Sequence, residues 1–99
     1  MKERDIVRKI RIEILNKYGV RLHKNTGGPY SEAGAADLYG TLPGGRAIFV
    51  EVKAPGKKPR PNQLAWLEHE REMGALAVWV SSWEELLSVL DVDNRPLDG

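Results

Sequence analysis

An acid and a base stand two residues apart inside an otherwise apolar run, Phe49-Val50-Glu51-Val52-Lys53. In a strand that spacing sends both side chains to one face. Burying an unpaired carboxylate costs several kcal/mol even after relaxation, so a small core accepts Glu51 only where a positive group offsets the cost. Lys53 alone would do so as a simple ion pair. A second acid, Asp37, comes by chain reversal. A hairpin folded around Pro43-Gly44-Gly45 pairs residues whose numbers sum to about 88, which sets Asp37 opposite Glu51. A three-residue turn centred on Gly44 puts the two side chains on one face, whereas a two-residue turn would flip Asp37 away. An odd-length loop or a compensating bulge is therefore expected.

A third acid is offered by the first helix. On a wheel of about 100° per residue, Glu3 falls near the middle of the stripe formed by Ile6, Val7, Ile10 and Ile14, and Asp5 points away from it. Glu13 lies at the stripe's edge and is the rival candidate, while Glu3 also reads as an ordinary N-terminal acid complementing the helix dipole. Asp37, Glu51 and Glu3 beside Lys53 would supply the hard oxygens that Mg²⁺ or Mn²⁺ uses, leaving other positions to water and a substrate phosphate. Such a site cuts phosphodiesters, with Lys53 orienting or helping to deprotonate the attacking water and holding the scissile phosphate. The competing reading is a purely structural Asp–Lys–Glu network.

The elements that must position these groups follow from periodicity. Residues 3–18 carry apolar side chains at helical spacing, with Gly19 as the stop. Val20-Arg21-Leu22-His23 alternates like a short strand, and Asn25-Thr26-Gly27-Gly28-Pro29 begins a loop that continues through Ala33-Gly34-Ala35-Ala36. Residues 37–42 and 46–53 read as antiparallel strands. Three prolines make 54–61 a loop leading into a second helix over 61–73, with Leu64, Trp66 and Leu67 on its inner side. Residues 75–80 read as a buried strand. Ser81-Ser82-Trp83-Glu84-Glu85 opens a third helix with a capping box, and the chain looks frayed from Asp91 onward. The order α-β-β-β-α-β-α predicts an α/β (α+β) fold, a mixed sheet flanked by helices, as a single domain over 1–91 with a tail at 92–99.

The 99 residues contain no cysteine, 41% hydrophobic and 29% charged residues. That length excludes two independent domains, and a core this thin would gain from a dimer interface. Without cysteine, thiolate zinc sites, thiol catalysis and a disulfide scaffold are excluded, and a cytoplasmic location is expected. No apolar run approaches the ~20 residues that cross a bilayer. The net charge of +1 hides an asymmetry: the first sixty residues carry +7 and the remainder −6. A basic front suits nucleic acid.

Taken together, these residues resemble the virus-type replication-repair nuclease domain (VRR-NUC), a branch of the PD-(D/E)XK superfamily, over nearly the whole chain. The resemblance is carried by Glu3-x-x-Ile6, Asn25 before a glycine-rich loop, Gly34-Ala35-Ala36-Asp37-Leu38-Tyr39-Gly40, Phe49-Val50-Glu51-Val52-Lys53, Pro61-Asn62-Gln63-Leu64-Ala65-Trp66-Leu67, and Gly74-Ala75. It implies a restriction-endonuclease-like core and a structure-directed DNA nuclease dependent on Mg²⁺ or Mn²⁺. Asp37 and Glu51 would be metal ligands, with the Val52 backbone carbonyl as a further candidate, and Lys53 the catalytic lysine. Glu3 maps onto the acid of the first helix. Gln63 matches the glutamine that holds the site or the substrate in position, although it also reads as an ordinary helix-start residue. The family's proline before the first aspartate is here Ala36. Members of this size resemble enzymes that act as homodimers on branched DNA such as four-way (Holliday) junctions or flaps.

Lys57, Lys58 and Arg60, in the loop after the catalytic strand, are the candidate phosphate contacts, with Lys24 and Arg21 extending the surface and Tyr30 as an unassigned aromatic. Trp66, Trp79 and Trp83 read as core, and His23 and His69 lack any metal-ligand spacing. Two alternatives stay open beside the nuclease. One is a nucleic-acid-binding module of the same fold that does not cut, the other a small interaction protein with an ionic core.

Overall fold

The computed structural model describes residues 1–27 and 32–93, which form α1 (Glu3–Tyr18), β1 (His23–Lys24), β2 (Leu38–Thr41), β3 (Ala47–Val52), α2 (Pro61–Glu72), β4 (Leu76–Val80) and α3 (Trp83–Asp93). The element order is the expected one. The sheet runs β1-β2-β3-β4, with antiparallel pairs except for the parallel β3–β4 pair, so it is mixed.

Ile6, Ile10 and Ile14 recur every four residues along α1 and are buried, and Gly19 ends the helix at φ +71°, its N–H donating to the Leu15 carbonyl. A left-handed cap of this kind favours glycine because it has no Cβ. Val20 and Leu22 turn inward and Arg21 outward, as the alternation predicts. The ladder itself comes later than expected, pairing His23 with Tyr39 and Lys24 with Leu38.

The hairpin pairs Leu38 with Val50 and Tyr39 with Phe49, the predicted register. Leu42 N–H donates to the Arg46 carbonyl at 2.7 Å, which leaves Pro43, Gly44 and Gly45 as a three-residue loop with both glycines at positive φ. The strand pleat then sorts β3 by parity. Ile48, Val50 and Val52 enter the main core with α1 and α3, whereas Phe49 joins Leu67, Ala77, Trp66 and Trp79 in a smaller cluster beneath α2. Phe49 meets Trp66 edge-on at 5.0 Å.

Two expectations need correction. Leu64 is 44% exposed, and Leu67 is the buried residue of α2. The inner face instead runs through Gln63, Trp66, Leu67 and Glu70, each at least partly buried, so helical geometry turns Gln63 inward where hydropathy chose Leu64. The chain is also not frayed at Asp91, because α3 continues to Asp93. Its start is capped as expected: Ser82 Oγ accepts from Glu85 N–H at 3.1 Å and the Glu85 carboxylate accepts from Ser81 N–H at 3.2 Å. Residues 94–99 of the expected tail lie outside the described residues. Among those described, no helix is long and apolar enough to cross a membrane.

Candidate active site

Asp37 stands at the mouth of the hairpin, one residue before β2, where the register sets it opposite Glu51. The two acids are locked by backbone. Asp37 N–H donates to Glu51 Oε1 at 3.2 Å, and Val52 N–H donates to Asp37 Oδ2 at 3.0 Å. Both carboxylates therefore share one end of the hairpin, as the three-residue loop requires.

Glu51 is 1% exposed and is the one buried charged residue among those described. Its second oxygen, Oε2, accepts from Gln63 Nε2 at 2.9 Å and meets Lys53 Nζ at 3.2 Å. Gln63 is held in turn, since its Oε1 accepts from Arg60 N–H at 2.8 Å. Burial pushes the Glu51 carboxyl above its ordinary range and the facing Asp37 charge adds to the rise, while Lys53 opposes both.

The loop before Asp37 is tied down by Asn25, whose N–H donates to the Asp37 carbonyl at 2.7 Å and whose Nδ2 donates to the Ala36 carbonyl at 3.3 Å. Gly34, at φ +83°, packs so closely on the start of α2 that a Cβ there would lie 2.7 Å from the Asn62 carbonyl oxygen. Asp37, Gln63, Arg60, Asn62 and Asn25 line a recess of about 200 Å³ directly outside the buried glutamate.

The structure thus brings together Asp37, Glu51, Lys53 and Gln63, with Arg60 on the recess wall. It does not bring Glu3 to them. Glu3 is exposed at the open end of α1, a helix packed on the sheet face opposite to the one Glu51 takes. Glu13, the rival, lies beside Asp5 and Lys9 at a separate surface. Among the described residues no three His, Cys, Asp or Glu side chains group to hold an ion. A wheel shows which side of a helix is buried, but not which side of the sheet the helix covers.

Lys57 and Lys58 are exposed in the loop after β3, and Lys24 is exposed on β1. Tyr30 lies outside the described residues. Trp83 is buried, and Trp66 and Trp79 pack in the smaller cluster. Sequence reasoning missed Asn62 and Glu32, the latter accepting from Trp66 Nε1 at 2.6 Å on the recess rim. Neither carried a spacing signal, because both contacts join loop and helix start across the fold.

The family model of the VRR-NUC domain matches residues 1–84. A solved structure described as a VRR_NUC domain superposes with a TM-score of 0.71 at 32% identity, covering 92% of this chain and 97% of its own. A second, a VRR_NUC domain protein, is 18% identical with a TM-score of 0.71 over 92% of this chain and 86% of its own, and shares the fold. "Putative nuclease p44" of Acyrthosiphon pisum secondary endosymbiont phage 1 is 43% identical over 63 residues, which span 62% of this chain and 64% of that protein. With the hairpin, the paired acids and the mixed sheet in place, and the match spanning most of its length, the chain belongs to the VRR-NUC domain family.

Proposed function

We propose that this chain is a DNA endonuclease that hydrolyses phosphodiester bonds with Mg²⁺ or Mn²⁺. One observation carries the proposal: a buried glutamate bonded to a facing aspartate, a lysine and a glutamine at the edge of an open recess. Asp37 and Gln63, both bonded to Glu51, open onto that recess, which a purely ionic core would not need. A divalent cation is the ligand that a pair of facing carboxylates suits.

The donor set fits a hard ion. Asp37 and Glu51 supply carboxylate oxygens, and a strand residue sends its N–H and C=O to the same side, so the Val52 carbonyl faces the side on which its N–H meets Asp37. When bound, the metal would lower the pKa of a coordinated water and stabilise charge on the phosphoryl oxygens. The protein's own groups do the rest. Gln63 fixes the Glu51 carboxylate, and Lys53, its side chain 17% exposed, is suited to hold a phosphate oxygen and orient the attacking water. Arg60 on the recess wall and the exposed Lys57 and Lys58 are suited to flanking phosphates. Branched DNA, cut by a homodimer, is the substrate that one site per small chain suits best.

Labelled linear, flap and four-way-junction DNA, incubated with Mg²⁺, Mn²⁺ or chelator, tests this directly. Cleavage should require metal and disappear in Asp37→Ala and Lys53→Ala. Binding without cleavage under every condition would favour a non-cutting module of the same fold, and neither binding nor cleavage would leave only the ionic core.

A further inference from the structure

A second and larger concavity, about 580 Å³, lies between the outer side of α1 and the segment that leads into β1. Arg4, Arg8 and Arg11 line it from the helix, Arg21 from the segment and Lys24 from β1, with Leu15 beside them. The three helix arginines fall within an arc of about 60° and span about 10 Å along the axis, roughly three phosphates of one DNA strand. None of the five cations is ion-paired with a carboxylate among the described residues, and none of the residues lining the groove is acidic. Arg11 also fixes the groove's width, its Nε donating to the Leu22 carbonyl at 3.1 Å.

The groove and the recess both border the β1 edge of the sheet. Lys24 lines the first and the next residue, Asn25, lines the second, so a strand leaving the recess past Asn25 would find the cations of the groove next along the chain. We propose that the groove holds the phosphate backbone of a duplex DNA arm outside the cut site, while the strand to be cut enters the recess. The proposal rests on the nuclease reading and adds where the uncut DNA lies. A second copy of the chain is the other conceivable occupant, but a two-fold contact would set the same cationic patch against itself.

The test measures affinity separately from cutting. A labelled four-way junction is titrated in chelator with three full-length proteins: wild type, Arg4→Glu/Arg8→Glu, and Lys2→Glu/Lys17→Glu as a control with the same change of charge outside the groove. The groove variant should bind at least tenfold more weakly than the control, and its dependence of log affinity on log salt should be shallower by about two phosphate contacts. Matching thermal unfolding verifies the fold. Should the reversal unfold the protein, Arg4→Gln/Arg8→Gln reads the same change in slope. Equal affinity in groove variant and control, or no DNA binding by wild type, overturns the proposal. Unchanged affinity with dissociation of a wild-type dimer makes the groove a contact between copies and overturns it too. If wild type binds and the groove variant does not, but no metal yields cleavage, the groove stands and the nuclease reading falls.

Discussion

The Glu51 carboxyl is pushed up by burial and then by the Asp37 carboxylate, while Lys53 and the Asp37 N–H pull it down. Because its folded-state pKa is raised, the folded chain keeps a proton that the unfolded chain has already released. Metal-free stability from this group is therefore undiminished below the ordinary glutamate pKa, falls as pH rises through the interval above it, and stays lower thereafter. Glu51→Gln removes that fall. Urea unfolding from about pH 4 to pH 8 should show Glu51→Gln gaining on wild type as pH rises, a difference that stays flat or shrinks if the carboxyl is not strained. The same substitution removes a charge that repels phosphate, so it should preserve or tighten DNA binding while abolishing cleavage. The Gln63 bond to Glu51 points to a positioning role that substitution can test. Gln63→Ala takes away a hydrogen bond to a buried acid, which costs about 1.5–3 kcal/mol. Cleavage should fall while DNA affinity holds, and Gln63→Glu should not rescue it, since a third carboxylate would replace the amide donor. Equal loss of affinity and rate in Gln63→Ala would instead place this side chain on the DNA.

At the scale of elements, the parity of one turn decides whether there is a site. Leu38 is fully buried on one face of the hairpin and Tyr39 exposed on the other, and Asp37 keeps its place opposite Glu51 only while Pro43, Gly44 and Gly45 remain an odd loop. Deleting Gly45 should slip the register by one, expel Leu38 from the core at a cost of about 3 kcal/mol or more, and end cleavage. Inserting two glycines after Gly44 preserves parity, and should cost under about 1 kcal/mol and leave cleavage within a few fold. If both changes behave alike, loop parity is not what aligns the acids. This turn was legible in advance because Pro-Gly-Gly between two apolar runs admits few geometries, and α1 was legible because Ile6, Ile10 and Ile14 recur at helical spacing. Gln63 was legible as a family position but not as a packed one. In α2 the pattern favours Leu64, and only the sheet face covered by the helix shows that the inner row is Gln63, Trp66, Leu67 and Glu70. Glu3 is a related case. Its place on the α1 stripe was right, but Ile48, Val50 and Val52 draw that stripe to the face of β3 that Glu51 does not occupy.

Across the whole molecule the charge is divided, with the basic residues in the first sixty positions that build α1, β1, the hairpin and the loop after it. The arginine groove lies wholly in that half and the recess lies there except for Asn62 and Gln63 at the start of α2, while the described acidic residues of the other half sit further along α2 and on α3. Each chain presents one Asp37–Glu51 pair, so on the proposed nuclease reading, opening two strands of a junction within a single encounter would take two chains. The thin core, in which α1 and α3 cover one face of a four-stranded sheet, gives a further reason for association. This fixes a measurable expectation. On a four-way junction labelled on opposite strands, paired incisions should appear only above the concentration at which sedimentation shows a dimer. Mixing wild type with an excess of Asp37→Ala should convert paired cuts into single nicks, because most assemblies then hold one competent recess. The total rate of first incision per wild-type chain should change little, since each recess keeps its own acids, lysine and glutamine. Paired cuts that persist at dilutions where only monomer sediments, or that survive the excess of Asp37→Ala undiminished, would show that one chain cuts twice without a partner.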